Sequence, residues 1–185
     1  AIEALSGTLH FAGKAYDLSH EEARRTFSTA VRLAPQKFDD MLADQFTFLE
    51  NLRLASLPTY PGLSLFDTTV KIPDFVDRFG INYTVPVGML SGGQRQILSI
   101  LMALQKPVSI LLLDEPTAAL DDKNSGMVMA FLHDLLKANK NLTILIICHD
   151  RELVERYAEQ GYHEIDIRQD DTRGIKPVFL AKEST

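Results

Sequence analysis

The residues best suited to chemistry lie where a glycine-rich turn or an apolar run meets a loop. Residues 91–94 read Ser-Gly-Gly-Gln and precede a strongly apolar segment. Asp114 and Glu115 follow the apolar run 110–113, and His149 follows a second apolar run, 142–148. Glycines at a helix N-terminus let backbone N–H groups approach a phosphate closely, and the helix dipole favours the anion there. The turn at 91–94 therefore indicates an anion site.

The two acids and the histidine suit metal and phosphoryl chemistry. A carboxylate at the carboxyl end of a parallel strand, such as Asp114, can hold Mg²⁺ through water, because Mg²⁺ prefers oxygen ligands and keeps part of its hydration shell. Glu115 can face an attacking water as a general base. His149 can hydrogen bond to a γ-phosphate. Taken singly, each feature is more typical of a helix cap, a strand end or a structural histidine.

Hydrophobic periodicity predicts the elements that carry these residues. Runs 110–113 and 142–147 are expected to be strands buried on both faces of a parallel sheet. Residues 124–137 place apolar side chains on one helical stripe, which should pack on that sheet. Shorter strands are predicted at 8–12, 31–34, 163–168 and 177–180. This alternation of strands and helices predicts an α/β fold.

Capping pairs predict where helices begin. Ser19 with Glu22, Thr47 with Glu50, and Ser91 with Gln94 each have the spacing of a capping box. The last pair opens a helix that should run to about residue 105, where Pro107 ends it. Further helices are expected at 74–79 and from a cap at Asp150 to a glycine at position 161.

Composition excludes several classes of protein. The 185 residues allow one compact domain with room for a subdomain. Lys and Arg number 19 against 25 Asp and Glu, so the net charge of -6 offers no basic excess for nucleic acid. The single cysteine, Cys148, excludes an internal disulfide and favours a cytosolic compartment. The apolar runs are far shorter than the roughly 18 residues of a membrane span, and no secretory signal is recognisable.

In their order and spacing these motifs resemble those of the ATP-binding cassette (ABC) ATPases, over residues 6–167. Residues 90–94 (Leu-Ser-Gly-Gly-Gln) match the signature motif, and residues 110–115 match the Walker B strand with its catalytic glutamate. Residues 118–121 (Ala-Ala-Leu-Asp) resemble the D-loop. His149 takes the place of the switch histidine and Gln36 that of the Q-loop glutamine. The resemblance implies a P-loop NTPase fold: a RecA-like α/β core with a largely parallel sheet and an inserted helical subdomain.

The family resemblance also implies an organisation and a site. The core would comprise 1–45 and 106–185, and the helical subdomain 46–105. ATP and Mg²⁺ are the implied cofactors. Glu115 and His149 would be catalytic, and Asp114 and Gln36 would bind the metal. The residues implied to bind nucleotide are Gln36, Ser91, Gly92, Gly93, Gln94 and Asp121.

The phosphate loop is where the sequence departs from the family pattern. That loop requires Gly-x-x-x-x-Gly-Lys-Ser/Thr. The nearest candidate, Gly7 to Gly13-Lys14, has five intervening residues and is followed by Ala15. Residues 6–9 resemble the family's segment downstream of the loop. The Walker A motif and the first strands are therefore expected to be missing from this chain.

The implied function is that of the ATPase subunit of an ABC transporter. Residues 87–105 look most like those of bacterial importers. The implied partners are a transmembrane permease and a second ATPase subunit, identical or paired, whose nucleotide the signature motif covers head to tail. The implied location is cytoplasmic, on the inner face of the membrane.

Two alternatives stay open at this point. One is a non-hydrolysing structural or regulatory cassette that contributes only its signature motif. The other is the head domain of a DNA-maintenance ATPase. The acidic balance, the lack of a heptad coiled coil between Gln36 and Leu90, and the presence of His149 count against the second. No nucleic-acid partner is expected.

Overall fold

A computed structural model describes residues 8–11, 13–57, 69–158, 169–170 and 174–175 of the chain. Seven strands and five α-helices are assigned in these ranges. The strands are β1 (Thr8–Phe11), β2 (Lys14–Asp17), β3 (Val31–Ala34), β4 (Ile110–Asp114), β5 (Thr143–Ile147), β6 (Gln169–Asp170) and β7 (Gly174–Ile175). The helices are α1 (Glu21–Ser28), α2 (Phe48–Ser56), α3 (Gly92–Ala103), α4 (Asp122–Ala138) and α5 (Arg151–Ala158). Three short 3-10 helices, Phe38–Met41, Asp74–Phe79 and Val87–Met89, connect them.

A three-stranded parallel sheet of order β3-β4-β5 carries the predicted site residues. Leu113 pairs with Ala34 on one side and Ile146 on the other. Because the three strands run in the same direction, their carboxyl ends meet at one edge of the sheet. Asp114 ends β4 at this edge, and His149 and the loop that begins at Pro35 follow the ends of the neighbouring strands.

Only one face of this sheet is fully buried. Leu111 and Leu113 are 0% and 1% exposed, and they share a core with buried residues of α3 and α4. Leu112, on the opposite face, is half-buried, and Leu33 and Ile147 are 55% and 50% exposed. The expectation that β4 and β5 are buried on both faces was therefore wrong for the described part of the chain, since α3 and α4 pack on one side only.

The first two strands form an antiparallel hairpin. Gly13, at its turn, has a φ of 73°, a backbone conformation that glycine adopts without steric cost. Lys14 begins β2 and its partner in the hairpin is Phe11. Gly13 and Lys14 therefore lead into a strand, whereas a phosphate loop leads into a helix.

Two of the three predicted capping boxes are present. Thr47 and Glu50 exchange both bonds at the start of α2, as do Ser91 and Gln94 at the start of α3. The box predicted at Ser19 was wrong: its hydroxyl bonds to Asp17 at 2.6 Å, and α1 begins after His20 with no side-chain cap. The carboxylate two residues earlier competes successfully for the Ser19 hydroxyl.

Other predicted boundaries moved by a few residues or changed type. Residues 74–79 form a 3-10 helix, and α3 ends at residue 103 instead of about 105. The α4 stripe was correct, with Val128, Phe131 and Leu132 at most 1% exposed. Asp150 does cap α5, since its carboxylate accepts from Leu153 N–H at 3.1 Å. The predicted glycine end at 161 and the strands at 163–168 and 177–180 lie outside the described residues.

The predicted division at residues 45 and 105 stays a prediction. Both parts contribute to one hydrophobic core, in which Phe48 and Leu52 of α2 join Leu111 of β4. Across the described ranges, no helix is both long and apolar enough to cross a lipid bilayer.

Candidate nucleotide-binding and hydrolysis site

The backbone at the end of β4 turns sharply between the two predicted acidic site residues. Asp114 is the last residue of the strand and pairs with Ile147. Glu115 has a φ of 48°, the left-handed conformation that side chains other than glycine seldom adopt. Its N–H still donates to the carbonyl of Ile147 at 2.9 Å. This conformation costs about 1–2 kcal/mol of strain and turns Glu115 away from the direction of the strand.

Glu115 and His149 face each other across neighbouring strand ends. His149 Nε2 lies 3.4 Å from Glu115 Oε1, although His149 is 90% exposed and Glu115 only 11%. Glu115 Oε1 is buried and accepts no hydrogen bond. A buried acceptor without a donor is costly, so this oxygen is suited to accept a bond from a bound water or from the His149 ring. The pair can therefore orient a nucleophilic water.

Asp114 and Gln36 are the predicted metal-binding residues. Gln36 lies two residues after β3, the strand beside β4, and is exposed. Both side chains thus belong to the carboxyl edge of the sheet. Among the described residues, no group of three His, Cys, Asp or Glu side chains is arranged to hold a metal ion. One carboxylate and one amide oxygen suit a hydrated Mg²⁺ whose other ligands are water and phosphate oxygens.

The signature segment is held tightly at the start of α3. The Ser91 hydroxyl accepts from Gln94 N–H at 3.3 Å, and Ser91 N–H donates to Gln94 Oε1 at 3.1 Å. Gln94 Nε2 donates to the carbonyls of Phe79 and Gly80, at 3.3 and 3.2 Å. Every polar atom of the Gln94 side chain is therefore engaged within the chain, and Gln94 fixes the turn that presents Ser91.

The D-loop residue Asp121 meets the signature segment through Asn124, which sequence reasoning missed. Asp121 caps α4 by accepting from Asn124 N–H at 2.8 Å. The Asn124 side chain bonds in turn to Ser91 and to Gly93 N–H, at 3.0 and 3.3 Å. The only sequence signal was an amide three residues after a helix cap. The structure thus brings Ser91, Gly93 and Asp121 into one bonded group.

Arg95 is a second residue that sequence reasoning missed. Its Nη2 lies 2.9 Å from Asp39 and 3.0 Å from Asp44, both in the segment that follows Gln36. The Arg95 side chain is only 21% exposed. An arginine beside two carboxylates ties helix α3 to the segment that follows Gln36.

Burial and nearby negative charge raise the pKa of Cys148, which lies beside the carboxyl edge of the sheet. Burial raises the pKa of its thiol, and the charges of Glu115 and Asp150 raise it further, against a bond to the Asp150 backbone that lowers it. A thiol in such surroundings stays protonated at neutral pH. Cys148 therefore has the character of a packing residue and not of a reactive thiol.

One cavity among the described residues lies away from this edge. A cavity of about 420 Å³ lies at the opposite end of the sheet, where Val108 and Leu142 precede β4 and β5.

Comparisons with known proteins show the family to which the chain belongs. The family model described as ABC transporter matches residues 2–118, and the chain belongs to this family. It is 29% identical to the phosphonates import ATP-binding protein PhnC 1 of Ruegeria sp., over 86% of this chain and 64% of that protein. It is 30% identical to the energy-coupling factor transporter ATP-binding protein EcfA of Methanosphaera stadtmanae, over 98% of this chain and 64% of that protein. The chain thus spans slightly less than two thirds of the length of these relatives.

Solved structures show the same fold. CbiO1 of Clostridium perfringens, part of the ABC transporter complex CbiONQ, matches 80% of this chain and 58% of its own with a TM-score of 0.61 and 23% identity. A nucleotide-free ATP-binding cassette from an ABC transporter matches 84% of this chain and 64% of its own with a TM-score of 0.59 and 23% identity. The predicted P-loop NTPase fold is confirmed.

Proposed function

We propose that this chain is the ATP-binding and ATP-hydrolysing part of an ABC importer that drives solute uptake through a separate transmembrane permease. The observation that carries the proposal is the buried, unpartnered Oε1 of Glu115, beside Asp114 and 3.4 Å from His149 at one sheet edge. The names of several relatives, which include phosphonate and methionine import proteins, support the importer class.

The residues of the sheet edge divide the chemistry between them. Glu115 accepts a proton from the attacking water at its free carboxylate oxygen. His149, exposed and adjacent, donates a hydrogen bond to the terminal phosphate. Asp114 and Gln36 would hold Mg²⁺, which would supply charge neutralisation for phosphoryl transfer.

The signature segment serves the nucleotide of a second subunit in this proposal. Ser91 and the N-terminus of α3 provide a hydroxyl and a helix dipole suited to a phosphate. Gly92, Gly93 and Gln94 shape that turn, and Asp121 lies beside it. A head-to-tail pair of subunits, identical or not, would place this surface over the phosphate loop of the partner.

An exposed apolar surface supports a membrane partner. Met41, Phe46 and Met89 are 46%, 45% and 75% exposed. Backbone bonds hold two of their loops together: Val87 N–H donates to Phe46 at 2.9 Å. Large apolar side chains exposed on adjacent loops are typical of a protein interface. We assign this surface to the permease, which places the protein peripherally on the cytoplasmic face of the membrane.

The substitution Glu115→Gln in the full-length protein, assembled with its permease, tests the proposal. It should lower ATP hydrolysis about a hundredfold to ten-thousandfold and leave ATP binding in place, because only the proton acceptor is lost. Glu152→Gln, at an exposed site on α5, is the matched control and should change neither.

Two results would overturn the proposal. Unchanged hydrolysis in Glu115→Gln would remove Glu115 from the mechanism. A wild-type assembly that binds ATP without hydrolysing it would favour the non-hydrolysing cassette. In vesicles whose ATPase subunits face the inside, the expected direction of transport is solute uptake and not release.

A further inference from the structure

Asn124 makes bonds to both loops that meet at the starts of α3 and α4. Its Oδ1 accepts from the Ser91 hydroxyl at 3.0 Å and from Gly93 N–H at 3.3 Å. Its Nδ2 donates to Asp121 Oδ2 at 3.1 Å. Gly93 N–H can only donate and an ionised Asp121 can only accept, so the network admits a single orientation of the amide. The amide thus needs both an acceptor and a donor atom here.

Steric contact at the same place supports the bonded network independently. A Cβ atom on Gly93 would lie 2.7 Å from Asn124 Oδ1 and 3.2 Å from its Cα. Real Cβ atoms essentially never come as close as 2.7 Å, and a contact of 3.2 Å would require a shift of a few tenths of an ångström. The backbone of the signature turn therefore packs directly on Asn124, and any side chain at position 93 would displace it.

We propose that Asn124 is a positioning residue that joins the signature segment (residues 91–94) to the D-loop (residues 118–121) of the same subunit. Its consequence for catalysis rests on the proposed function, whereas the connection itself does not. The Ser91 hydroxyl has one proton, which it donates to Asn124. When Ser91 donates to a phosphate instead, Asn124 loses one of its three side-chain bonds. Because the same amide also donates to Asp121, the loss of that bond affects the position of Asp121.

Hydrogen exchange measured by NMR on the full-length protein tests the connection without ATP. Asn124→Ala should raise the exchange rate of Gly93 N–H about tenfold, because this amide loses its acceptor. Gln94 N–H, which bonds to the Ser91 hydroxyl, should change less than about twofold. Lys123→Ala, at an exposed neighbouring position, should change neither. An unchanged Gly93 rate in Asn124→Ala would overturn the proposal.

A second variant separates the two halves of the amide. Asn124→Asp keeps an acceptor for Ser91 and Gly93 but loses the donor and places a like charge beside Asp121. Gly93 N–H should stay protected, while ATP hydrolysis by the assembled transporter falls about tenfold with KM for ATP nearly unchanged, as expected when positioning is lost.

The outcomes distinguish this proposal from the proposed function. If Asn124→Asp hydrolyses ATP at the wild-type rate while Gly93 N–H stays protected, the contact to Asp121 has no positioning role. That result would overturn the proposal. Absence of hydrolysis in the wild-type assembly would contradict the proposed function instead. In that case the Gly93 exchange rates in Asn124→Ala still confirm or refute the connection.

Discussion

Gly92 packs directly against Leu120: a Cβ atom on Gly92 would lie 2.8 Å from Leu120 Cδ2. Leu120 precedes Asp121 in the D-loop, so the first signature glycine is confined by a side chain of its own subunit. Close approach of backbone to phosphate was the reason expected from the sequence. The structure adds a second reason, since a larger residue at position 92 would displace the end of the Leu120 side chain.

A series of glycine substitutions separates these packing contacts from helix propensity. Gly93→Ala should destabilise the protein by about 1–3 kcal/mol, because the backbone of Asn124 cannot move aside. Gly92→Ala should cost less, since the end of the Leu120 side chain can rotate away. Gly126→Ala, within α4 and with nothing near its Cβ position, should stabilise by about 0.5–1 kcal/mol. Chemical denaturation measures all three, and equal costs at positions 93 and 126 would contradict this contact.

The left-handed conformation of Glu115 should affect the stability of variants substituted at this position. Glu115→Gly and Glu115→Ala remove the same carboxylate, but only glycine adopts a φ of 48° without strain. We expect the glycine variant to be more stable than the alanine variant by about 1 kcal/mol. Both should lack hydrolysis. Equal thermal midpoints for the two variants would show that the turn relaxes when the side chain is removed.

The capping box of α2 should give a pH-dependent contribution to stability. Bonds from Thr47 N–H and then from the Thr47 hydroxyl lower the pKa of Glu50 below its ordinary 4.5. Because the folded pKa is the lower one, the stabilisation is present above pH 4.5 and is lost as the pH falls through the folded value. Glu50→Gln should flatten this part of the stability curve below pH 4.5 relative to wild type. Denaturant midpoints measured between pH 6 and about 3 check it.

Cys148 should react slowly with alkylating reagents in the folded protein. Burial, with the charges of Glu115 and Asp150, raises the pKa of the thiol above its ordinary 9.0. At pH 8 the thiolate fraction is then lower than in the urea-unfolded chain, which is the control. Iodoacetamide rates against pH should show a midpoint above 9.0. Glu115→Gln should lower that midpoint. A folded chain that reacts as fast as the unfolded one would show that the pKa of the Cys148 thiol is not raised.

Local patterns with short-range causes were predictable from the sequence. The boxes at Thr47 and Ser91 form because a hydroxyl and a Glu or Gln three residues later can satisfy each other's backbone within one helical turn. The same pattern failed at Ser19, where Asp17 offered its hydroxyl a charged acceptor. The ends of β4 and β5 were also predictable, because runs of apolar residues stop where charged residues begin.

What the sequence by itself determined was the family, the α/β alternation and the residue types that stand at the carboxyl edge of the sheet, because motif order and apolar periodicity are carried by neighbours along the chain. Only the tertiary structure decided that Glu115 is buried beside an exposed His149, that Arg95 contacts Asp39 and Asp44, and that Asn124 joins Ser91 to Asp121. Apart from the short link between Asn124 and Asp121, these contacts join residues from 33 to 56 positions apart in the chain, so no local pattern encodes them. They exist because packing of α3 on α4 and pairing of β4 with β5 bring distant side chains within hydrogen-bonding reach.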